Sequence, residues 1–318
     1  VYRYENINYE LERLKETLEE AEIPFIPLKG SVIRKYYPEP WTRTSCDIDI
    51  LVREEDLKRA KKAICEKLGY AFEGRHYHDI SMFSQSGVHL ELHFHLKETI
   101  AGIDSVLVRA WDFAAPKVGK KYEYEFSNEF LAFQLAAHNS YHFQGGGCGI
   151  RPFIDFQVME NSGEFTYDEE KLNELLREGG IYKFYLETKA LAAVWFCGAE
   201  HTELTKKIEM YVLDGGVYGS MKNSLAVRQT KKKSKFGYAM SRIFLPYDSL
   251  KNAYPVLEKH KWLLPFFEVR RWFSILFGGR VKKGLNELSE SNKLTQEDRE
   301  KARKLLDDLE LNEGKAGR

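Results

Sequence analysis

The first third of the chain mixes two hydrophobic periods, and each period predicts a different kind of element. Residues 4–21 carry apolar side chains at helical spacing, and residues 54–68 begin with acids and end before a glycine, a pattern typical of helices. The segments 23–28, 46–52 and 88–96 are apolar or alternating over short lengths, which predicts β-strands. Together these elements indicate a small mixed sheet with helices packed against it.

Further segments complete this part of the chain. Residues 71–83 predict a strand that forms a hairpin with 88–96 around a Gln-Ser-Gly turn, and residues 121–126 predict one more short strand. Residues 104–113 fit neither period well enough to choose between helix and strand. Proline and glycine cluster within 115–120, so we expect a domain boundary there.

The remainder of the chain is dominated by helical spacing. Its apolar stripes predict helices at 127–143, 167–178, 182–197, 204–213, 265–277 and 295–309. The last helix opens with a Thr-x-x-Asp capping box, and residues 313–318 are expected to be disordered. The prediction is an α+β fold with a mixed α/β domain at 1–118, an all-helical domain at 119–290 and a C-terminal helix and tail at 291–318.

Two acids, Asp47 and Asp49, lie two residues apart in the predicted strand 46–52, and isoleucines follow each of them. Side chains alternate faces along a strand, so both acids project the same way while the isoleucines point into a core. Carboxylates held side by side repel each other unless a cation lies between them or one keeps a proton. The pair therefore predicts a hard divalent metal, most naturally Mg²⁺ with a bound phosphate. Neutralising either acid is expected to relieve repulsion in the metal-free protein.

A third acid, Glu91, lies in the alternating strand 88–96 and shares its face with His89, His93 and His95. If this strand pairs with the strand of the two aspartates, Glu91 would lie about 5 Å from them. Three acids on neighbouring strands suit two metals about 3.5–4 Å apart, the spacing that two-metal phosphoryl chemistry uses. The histidines could form a histidine-rich metal site; we favour His93 as a residue that orients a carboxylate, with His89 and His95 as cleft or surface residues.

A Lys29-Gly30-Ser31 turn precedes the acidic strand. The apolar strand 23–28 ends here, and a helix is expected to start with Ser31 as its N-cap. Gly30 lets the backbone approach a ligand, and the N–H groups of the new helix favour a phosphate, to which Lys29 would add positive charge. Arg43 could hold a triphosphate with its bidentate fork, or it could be a surface arginine.

These motifs resemble those of the nucleotidyltransferase superfamily of the polymerase-β type. That pattern has a hydrophobic residue, Gly, and Gly or Ser, then two acids flanking a hydrophobic residue, and later a third acid between hydrophobic residues. The chain is similar at Gly30-Ser31, Asp47-Ile48-Asp49 and Leu90-Glu91-Leu92. The chain looks more closely like a bacterial branch of this superfamily that has Leu-Lys-Gly, Asp-Ile-Asp and Glu-Leu-His motifs. The stretches 138–156 and 242–272 also resemble that branch.

The chain departs from the general pattern at the turn. Lys29 stands where the pattern has a hydrophobic residue, and the spacing from Gly30 to Asp47 is longer than usual, so the phosphate loop is expected to differ in shape. The resemblance implies an enzyme dependent on Mg²⁺ or Mn²⁺. It would move a nucleoside monophosphate from an NTP, with ATP favoured, to an acceptor hydroxyl and release pyrophosphate.

The resemblance also implies roles for individual residues. The catalytic and metal-binding residues would be Asp47, Asp49 and Glu91, with the last as metal ligand or general base. The phosphate-binding residues would be Lys29, Gly30, Ser31 and Arg43. The helical domain would bind the acceptor, for which a sugar, an antibiotic, a small metabolite and a protein side chain all fit. The alternatives are an inactive nucleotide-binding or regulatory module on the same fold and, more weakly, a histidine/carboxylate metal hydrolase.

Composition narrows the partners and the compartment. The 318 residues include 48 basic and 48 acidic side chains, a balance that argues against an extended nucleic-acid surface. The four cysteines are scattered without a C-x-x-C pair, which favours a reducing cytoplasm. The longest apolar run, 190–199, is too short to span a membrane, and no signal-peptide pattern is present. The oligomeric state is left open.

Two later features lie outside these motifs. His138 and His142 have the i,i+4 spacing of metal ligands, and we expect either packing histidines with polar partners or residues that line the substrate cleft. The glycine run at 145–149 predicts an unusual backbone path or a close ligand approach. Arg151 and Asp155 are spaced for an intrahelical ion pair.

Overall fold

The alternating segments of the first part of the chain form one five-stranded sheet. The computed structural model describes residues 1–98, 100–216, 219–230, 254–277 and 293–311, with single positions between 244 and 251 and at 289. The strands are β1 (Phe25–Pro27), β2 (Asp47–Val52), β3 (Ala71–Arg75), β4 (Asp79–Phe83) and β5 (His89–His93). Their order is β1-β2-β5-β4-β3; β2 and β5 run parallel, and the other neighbours run antiparallel. The strands predicted at 23–28, 46–52 and 88–96 are confirmed.

One face of this sheet is apolar and forms the main core. Ile48 and Ile50 of β2 and Leu90 of β5 have no exposed surface, because the strand alternation turns them away from the acids. Helices α1 (Tyr2–Glu20) and α3 (Leu57–Leu68) contribute their apolar stripes to the same cluster. Each fully buried aliphatic side chain stabilises the fold by about 1.5–3 kcal/mol. The opposite face of the same strands carries the polar residues.

The segment 71–83, which was predicted to be one strand, contains two. The chain reverses between β3 and β4 in a turn closed by a hydrogen bond from His76 N–H to the carbonyl of Asp79 at 2.9 Å. The strands β3 and β4 then pair antiparallel, with a register shift between Phe72 and Gly74. The single-strand prediction was wrong because the polar residues of this turn interrupt the alternation without any Pro or Gly to mark it. The predicted hairpin with β5 is confirmed for β4.

The remaining elements are mostly helices. A two-stranded sheet is formed by β6 (Ala114–Pro116) and β7 (Tyr124–Phe126). The other helices are α2 (Gly30–Ile33), α4 (Ala101–Leu107), α5 (Asn128–Gln144), α6 (Arg151–Asn161), α7 (Glu169–Glu178), α8 (Tyr182–Cys197), α9 (Glu203–Gly215), α10 (Met221–Thr230), α11 (Leu264–Phe277) and α12 (Gln296–Asp308). Thr295 forms the predicted capping box with Asp298 at the start of α12. The predicted α+β class, a mixed sheet with helices followed by a helical region, is confirmed.

The chain divides into two compact units. The first comprises Val1–Tyr141 and Arg151–Glu200, and the second comprises His142–Ile150 and His201–Arg318. The sheet and its polar face belong to the first unit. The boundary predicted after residue 118 falls inside the first unit. The division into three domains stays a prediction. The segment 313–318, predicted to be disordered, lies outside the described residues. Within the described ranges, every helix is too short or too polar to cross a membrane.

Candidate active site

The parallel pairing of β2 with β5 brings the three predicted acids together. Asp49 is directly opposite Glu91 in the register, and Asp47 is opposite His89. Residues opposite each other in neighbouring strands point to the same face, about 5 Å apart. The strand pairing on which the expected proximity of Glu91 to the two aspartates depends is therefore present.

Two overlapping groups on this face have the geometry of metal sites. One consists of Asp47, His89 and Glu91, and the other of Asp49, Glu91 and His93; within each group the ligand atoms all lie within 4.8 Å of one another. Carboxylate oxygens are the ligands that Mg²⁺ prefers, and imidazole nitrogen extends the range to Mn²⁺ and its neighbours. Glu91 belongs to both groups, so the donor set fits one or two divalent cations that share this carboxylate.

The carboxylate of Asp49 is buried and contacts the ammonium of Lys29 and the imidazole of His93. Lys29 Nζ lies 2.8 Å from Asp49 Oδ1, and His93 Nε2 donates to the same oxygen at 2.9 Å. Burial opposes ionisation of Asp49, but the ammonium and the imidazole prevail and hold the pKa of this carboxyl well below its usual range. Asp49 is therefore an anion whose charge is compensated by the protein itself.

Lys29 owes its position to an uncommon backbone turn. Its φ of 46° lies in the left-handed region, which non-glycine residues rarely adopt. Burial disfavours the ammonium, but the charges of Asp49, Glu91 and Glu98 outweigh burial and raise the pKa of Lys29 above its usual value. The predicted positive charge at the turn is present, and it is directed at Asp49.

His93 makes the contact with a carboxylate that the sequence predicted for it. Burial favours the neutral ring, yet its hydrogen bonds to Asp49 and Glu91 raise the pKa of His93. Its Nδ1 is buried and has no hydrogen-bond partner among the described residues. His78 stacks on the ring with a centroid distance of 5.5 Å and an interplanar angle of 11°, which restricts its rotation.

Asp47 lies in a different environment although it is only two residues away. Its side chain is half-buried. Burial, together with the negative charges of Asp49 and Glu91, raises the pKa of Asp47. The uncompensated repulsion that the sequence predicted for the acid pair is therefore concentrated on Asp47.

The Gly30 turn is built differently from the prediction. Helix α2 starts at Gly30 with Lys29 in the N-cap position, so the prediction that Ser31 is the N-cap was wrong. The reason is the left-handed backbone of Lys29, which starts the helical turn one residue earlier. The hydroxyl of Ser31 is buried and has no hydrogen-bond partner among the described residues. A Cβ on Gly30 would lie 3.3 Å from Ser45 Cβ, so the approach to this turn is narrow.

A buried arginine that the sequence reasoning missed holds this turn. Arg34 Nε donates to the Gly30 carbonyl at 2.9 Å, and its Nη2 donates to Ser45 Oγ at 3.0 Å. Burial and the neighbouring charge of Arg43 lower the pKa of Arg34. The i,i+4 spacing from Gly30 was the only signal in the sequence, and it is too common to single out one residue.

Arg43 is bound to the acid of a distant helix. Its Nε and Nη2 contact the two carboxylate oxygens of Asp155 at 2.6 and 2.8 Å, and Tyr37 donates to the same carboxylate at 2.6 Å. The carboxylate of Asp155 thus pairs with Arg43 across 112 residues of sequence, although its spacing from Arg151 also allows an intrahelical ion pair. The Nη1 atom of Arg43 lies 3.8 Å from the Cβ position at Gly30, so its charge is beside the turn.

His138 has the polar partner that was expected of a packing histidine. Its Nδ1 lies 2.9 Å from Glu98 Oε1. Among the described residues, the groups with metal-site geometry include neither His138 nor His142.

The fold and the acidic face together define a class of protein. Two acids on one strand and a third on its parallel neighbour form groups with the geometry to bind divalent cations, which two-metal phosphoryl chemistry requires. A family model described as an uncharacterised nucleotidyltransferase matches residues 1–197, more than half of the 318 residues. The chain therefore belongs to this nucleotidyltransferase family, and its match ends with α8 of the first unit. No curated protein and no solved structure matches the chain.

Proposed function

We propose that this protein transfers a nucleoside monophosphate from an NTP, most simply ATP, to an acceptor hydroxyl. The observation that carries the proposal is the register of β2 and β5, which places Asp49 opposite Glu91 and Asp47 opposite His89 on one face. In the transfer, the hydroxyl oxygen forms a bond to the α-phosphorus. The bond from that phosphorus to the bridging oxygen breaks, and pyrophosphate leaves with the electron pair.

The three acids are proposed to hold Mg²⁺ or Mn²⁺. When bound, the cation would neutralise triphosphate charge and increase the electrophilicity of the α-phosphorus. Both protein contacts to Asp49 use Oδ1, which leaves Oδ2 as the oxygen through which Asp49 would join a cation. His93 keeps Asp49 ionised and fixed in orientation. Glu91, which belongs to both candidate groups, is proposed as a ligand first and as an acceptor of the hydroxyl proton second.

The turn is proposed to bind the terminal phosphates. Gly30 would present its backbone N–H group, and Ser31 its buried, unpartnered hydroxyl, to phosphate oxygens. Lys29 and Arg43 would supply positive charge on either side. The Nε and Nη2 atoms of Arg43 are already paired with the carboxylate of Asp155, so Arg43 would contribute its positive charge beside Gly30 without binding the phosphate in a bidentate manner.

The acceptor and the setting complete the proposal. The helical region after residue 118 is proposed to bind the acceptor, whose class is open among sugars, antibiotics, small metabolites and protein side chains. A cytoplasmic location is supported by the cysteines, all four of which are free thiols in the structure.

The test is a transfer assay with the full chain. The protein is incubated with each of four α-labelled NTPs, Mg²⁺ or Mn²⁺, and a metabolite extract, and the products are separated. A labelled adduct that forms with release of pyrophosphate, and that is absent with the Asp47→Asn variant, supports transfer. Tight nucleotide binding without any adduct or pyrophosphate under all four NTPs contradicts it.

A second candidate function is a nucleotide-binding module without turnover. One observation favours it: the ammonium of Lys29 lies 2.8 Å from Asp49, where a transferase would place a metal cation. Such a module would bind NTP with little dependence on divalent metal, because the protein supplies the cation. Calorimetry with a non-hydrolysable NTP, with and without Mg²⁺, separates the two functions: a transferase site gains affinity with the metal and a metal-independent binder does not.

A further inference from the structure

Three side chains on β3, β4 and β5 form a hydrogen-bonded relay that ends at the metal-binding acids. Ser81 Oγ lies 2.8 Å from Glu73 Oε2 and 2.7 Å from His89 Nε2. Ser81 is 1% exposed and lies opposite Glu91 in the register, while His89 lies opposite Asp47. The relay therefore connects exposed Glu73 to the group formed by Asp47, His89 and Glu91.

The relay determines which nitrogen of His89 carries the proton. Ser81 has one hydroxyl proton, and the carboxylate of Glu73 can only accept it. Ser81 Oγ must then accept a hydrogen bond from His89 Nε2–H. A neutral imidazole with its proton on Nε2 has its lone pair on Nδ1. The relay thus leaves Nδ1 of His89 with the lone pair that a metal ion would bind.

The ring of His89 is also held in place by packing. Phe83 stacks on it with a centroid distance of 4.6 Å and an interplanar angle of 20°. A hydrogen bond at one nitrogen and an aromatic ring on one face restrict rotation of the imidazole. Metal-ligating histidines commonly donate their other ring N–H to such a partner, which orients the ring and raises its basicity.

We propose that His89 is a metal ligand through Nδ1, together with Asp47 and Glu91, and that Ser81 and Glu73 are positioning residues for it. An imidazole favours Mn²⁺ and later transition metals over Mg²⁺, which binds oxygen ligands almost exclusively. The nitrogen ligand therefore makes this site selective for Mn²⁺ over Mg²⁺. The inference rests on the proposed function for the role of the metal in transfer, but metal binding itself is measurable without nucleotide.

The experiment uses the full chain, stripped with a chelator and titrated with Mn²⁺ alone. Free Mn²⁺ is measured by electron paramagnetic resonance, and pulsed measurements detect nitrogen coupled to the bound ion. We expect imidazole nitrogen coupling and an affinity for Mn²⁺ at least about 10-fold higher than for Mg²⁺ measured by competition. His89→Gln should remove the coupling, and Ser81→Ala should weaken Mn²⁺ binding by about 10-fold while the histidine is retained.

Two other histidines supply the controls. His95→Gln changes an imidazole that follows the end of β5 and belongs to neither candidate group, and it should leave the coupling and the affinity unchanged. His93→Gln removes the imidazole beside Asp49, and nitrogen coupling should persist in this variant if His89 is the ligand. Circular dichroism and thermal unfolding establish that each variant is folded.

Three outcomes overturn the proposal. They are the absence of Mn²⁺ binding at millimolar concentration, bound Mn²⁺ without nitrogen coupling, and coupling that survives His89→Gln but is lost in His93→Gln. The transfer assay tests the proposed function separately from metal coordination by His89. Labelled product without nitrogen coupling refutes His89 as a ligand and keeps the transferase, whereas coupling without any use of NTP keeps the metal site and refutes the transferase.

Discussion

The two halves of the acidic face each contain an aspartate and a histidine, but the pKa values of the two aspartates are shifted in opposite directions. We call Asp49, Lys29 and His93 the closed half and Asp47 and His89 the open half; Glu91 lies between them. In the closed half Asp49 is 4% exposed, and its carboxylate contacts the ammonium of Lys29 and the imidazole of His93. In the open half Asp47 is half-buried, and burial together with the negative charges of Asp49 and Glu91 raises the pKa of its carboxyl.

This difference changes what the Asp-Ile-Asp motif means physically. Equivalent carboxylates on one strand face would each need an external cation. Here the protein supplies a cation for Asp49, so the requirement for a metal is concentrated on Asp47 and Glu91. The following predictions test whether the two halves are as different as their environments indicate.

The largest expected difference is between Asp49→Asn and Asp47→Asn in the metal-free protein. Asp49→Asn removes the negative partner of Lys29 and His93 and should lower the free energy of unfolding by about 3 kcal/mol, as breaking buried ion pairs does. Asp47→Asn removes a repelled charge and should leave that free energy unchanged or slightly higher. Urea denaturation with a chelator measures both.

The expectation from sequence, that neutralising either acid relieves repulsion, is thereby kept for Asp47 and reversed for Asp49. Both variants should lose nucleotidyl transfer. Equal losses of stability in the two variants would remove the distinction between the halves.

Lys29→Met tests whether the ammonium stands in for a metal cation. The variant leaves Asp49 with His93 alone and should be about 2 kcal/mol less stable without metal, less than for a fully buried pair because the lysine is partly exposed. A divalent cation should then stabilise the variant more than the wild type, because it supplies the missing positive charge. Thermal unfolding with and without Mn²⁺ measures this.

The matched control for this variant is Lys15→Met. Lys15 lies 3.8 Å from the buried carboxylate of Glu123, away from the candidate metal groups. Its replacement should destabilise the protein in a way that Mn²⁺ does not correct. Equal stabilisation by Mn²⁺ of the wild type and both lysine variants would show that the ammonium and the metal do not substitute for each other.

The residues that form the acidic face could be predicted from sequence, because their placement depends only on the alternation of side chains along each strand. The period of two in 46–52 and 88–96 places Asp47, Asp49 and Glu91 opposite the apolar core without any knowledge of the fold. The helices at 4–21 and 182–197 were also predicted, because their apolar stripes are long and regular.

The charge state of the face could not be predicted, because it depends on partners that are distant in sequence. The contact of Lys29 with Asp49 follows from a left-handed residue in the turn, a conformation for which lysine carries no sequence signal. The partner of Arg43 is on α6, and no periodicity relates the two. Glu73 lies beside Ser81 because of a strand reversal within 71–83 for which the sequence gives no signal.

Glu91→Gln tests the residue that the two halves share. If Glu91 is a ligand, the change should weaken divalent metal binding by about 10-fold, and raised Mn²⁺ should partly restore transfer. If Glu91 is the general base, metal affinity should stay the same, and the rate should fall by about 10²–10⁴-fold at any metal concentration. Metal titration followed by transfer rates at several Mn²⁺ concentrations distinguishes the two roles.

The smallest expected effect concerns the turn that leads into the closed half. Gly30→Ala places a Cβ 3.3 Å from Ser45 Cβ, so Ser45 must move by a few tenths of an ångström, at a cost of about 1 kcal/mol. Gly74→Ala is the matched control, because a Cβ there meets nothing within 4 Å. Urea denaturation measures the cost of each change.

Nucleotide binding then decides whether the closed half has a role beyond stability. If phosphates bind at the turn, Gly30→Ala should weaken the affinity for a non-hydrolysable NTP several-fold, because its methyl group narrows the backbone approach. Gly74→Ala should leave that affinity unchanged. If calorimetry finds equal NTP affinities for folded Gly30→Ala and Gly74→Ala, the phosphates do not bind at Gly30. The closed half would then be a structural ion pair, and the chemistry would belong to Asp47 and Glu91.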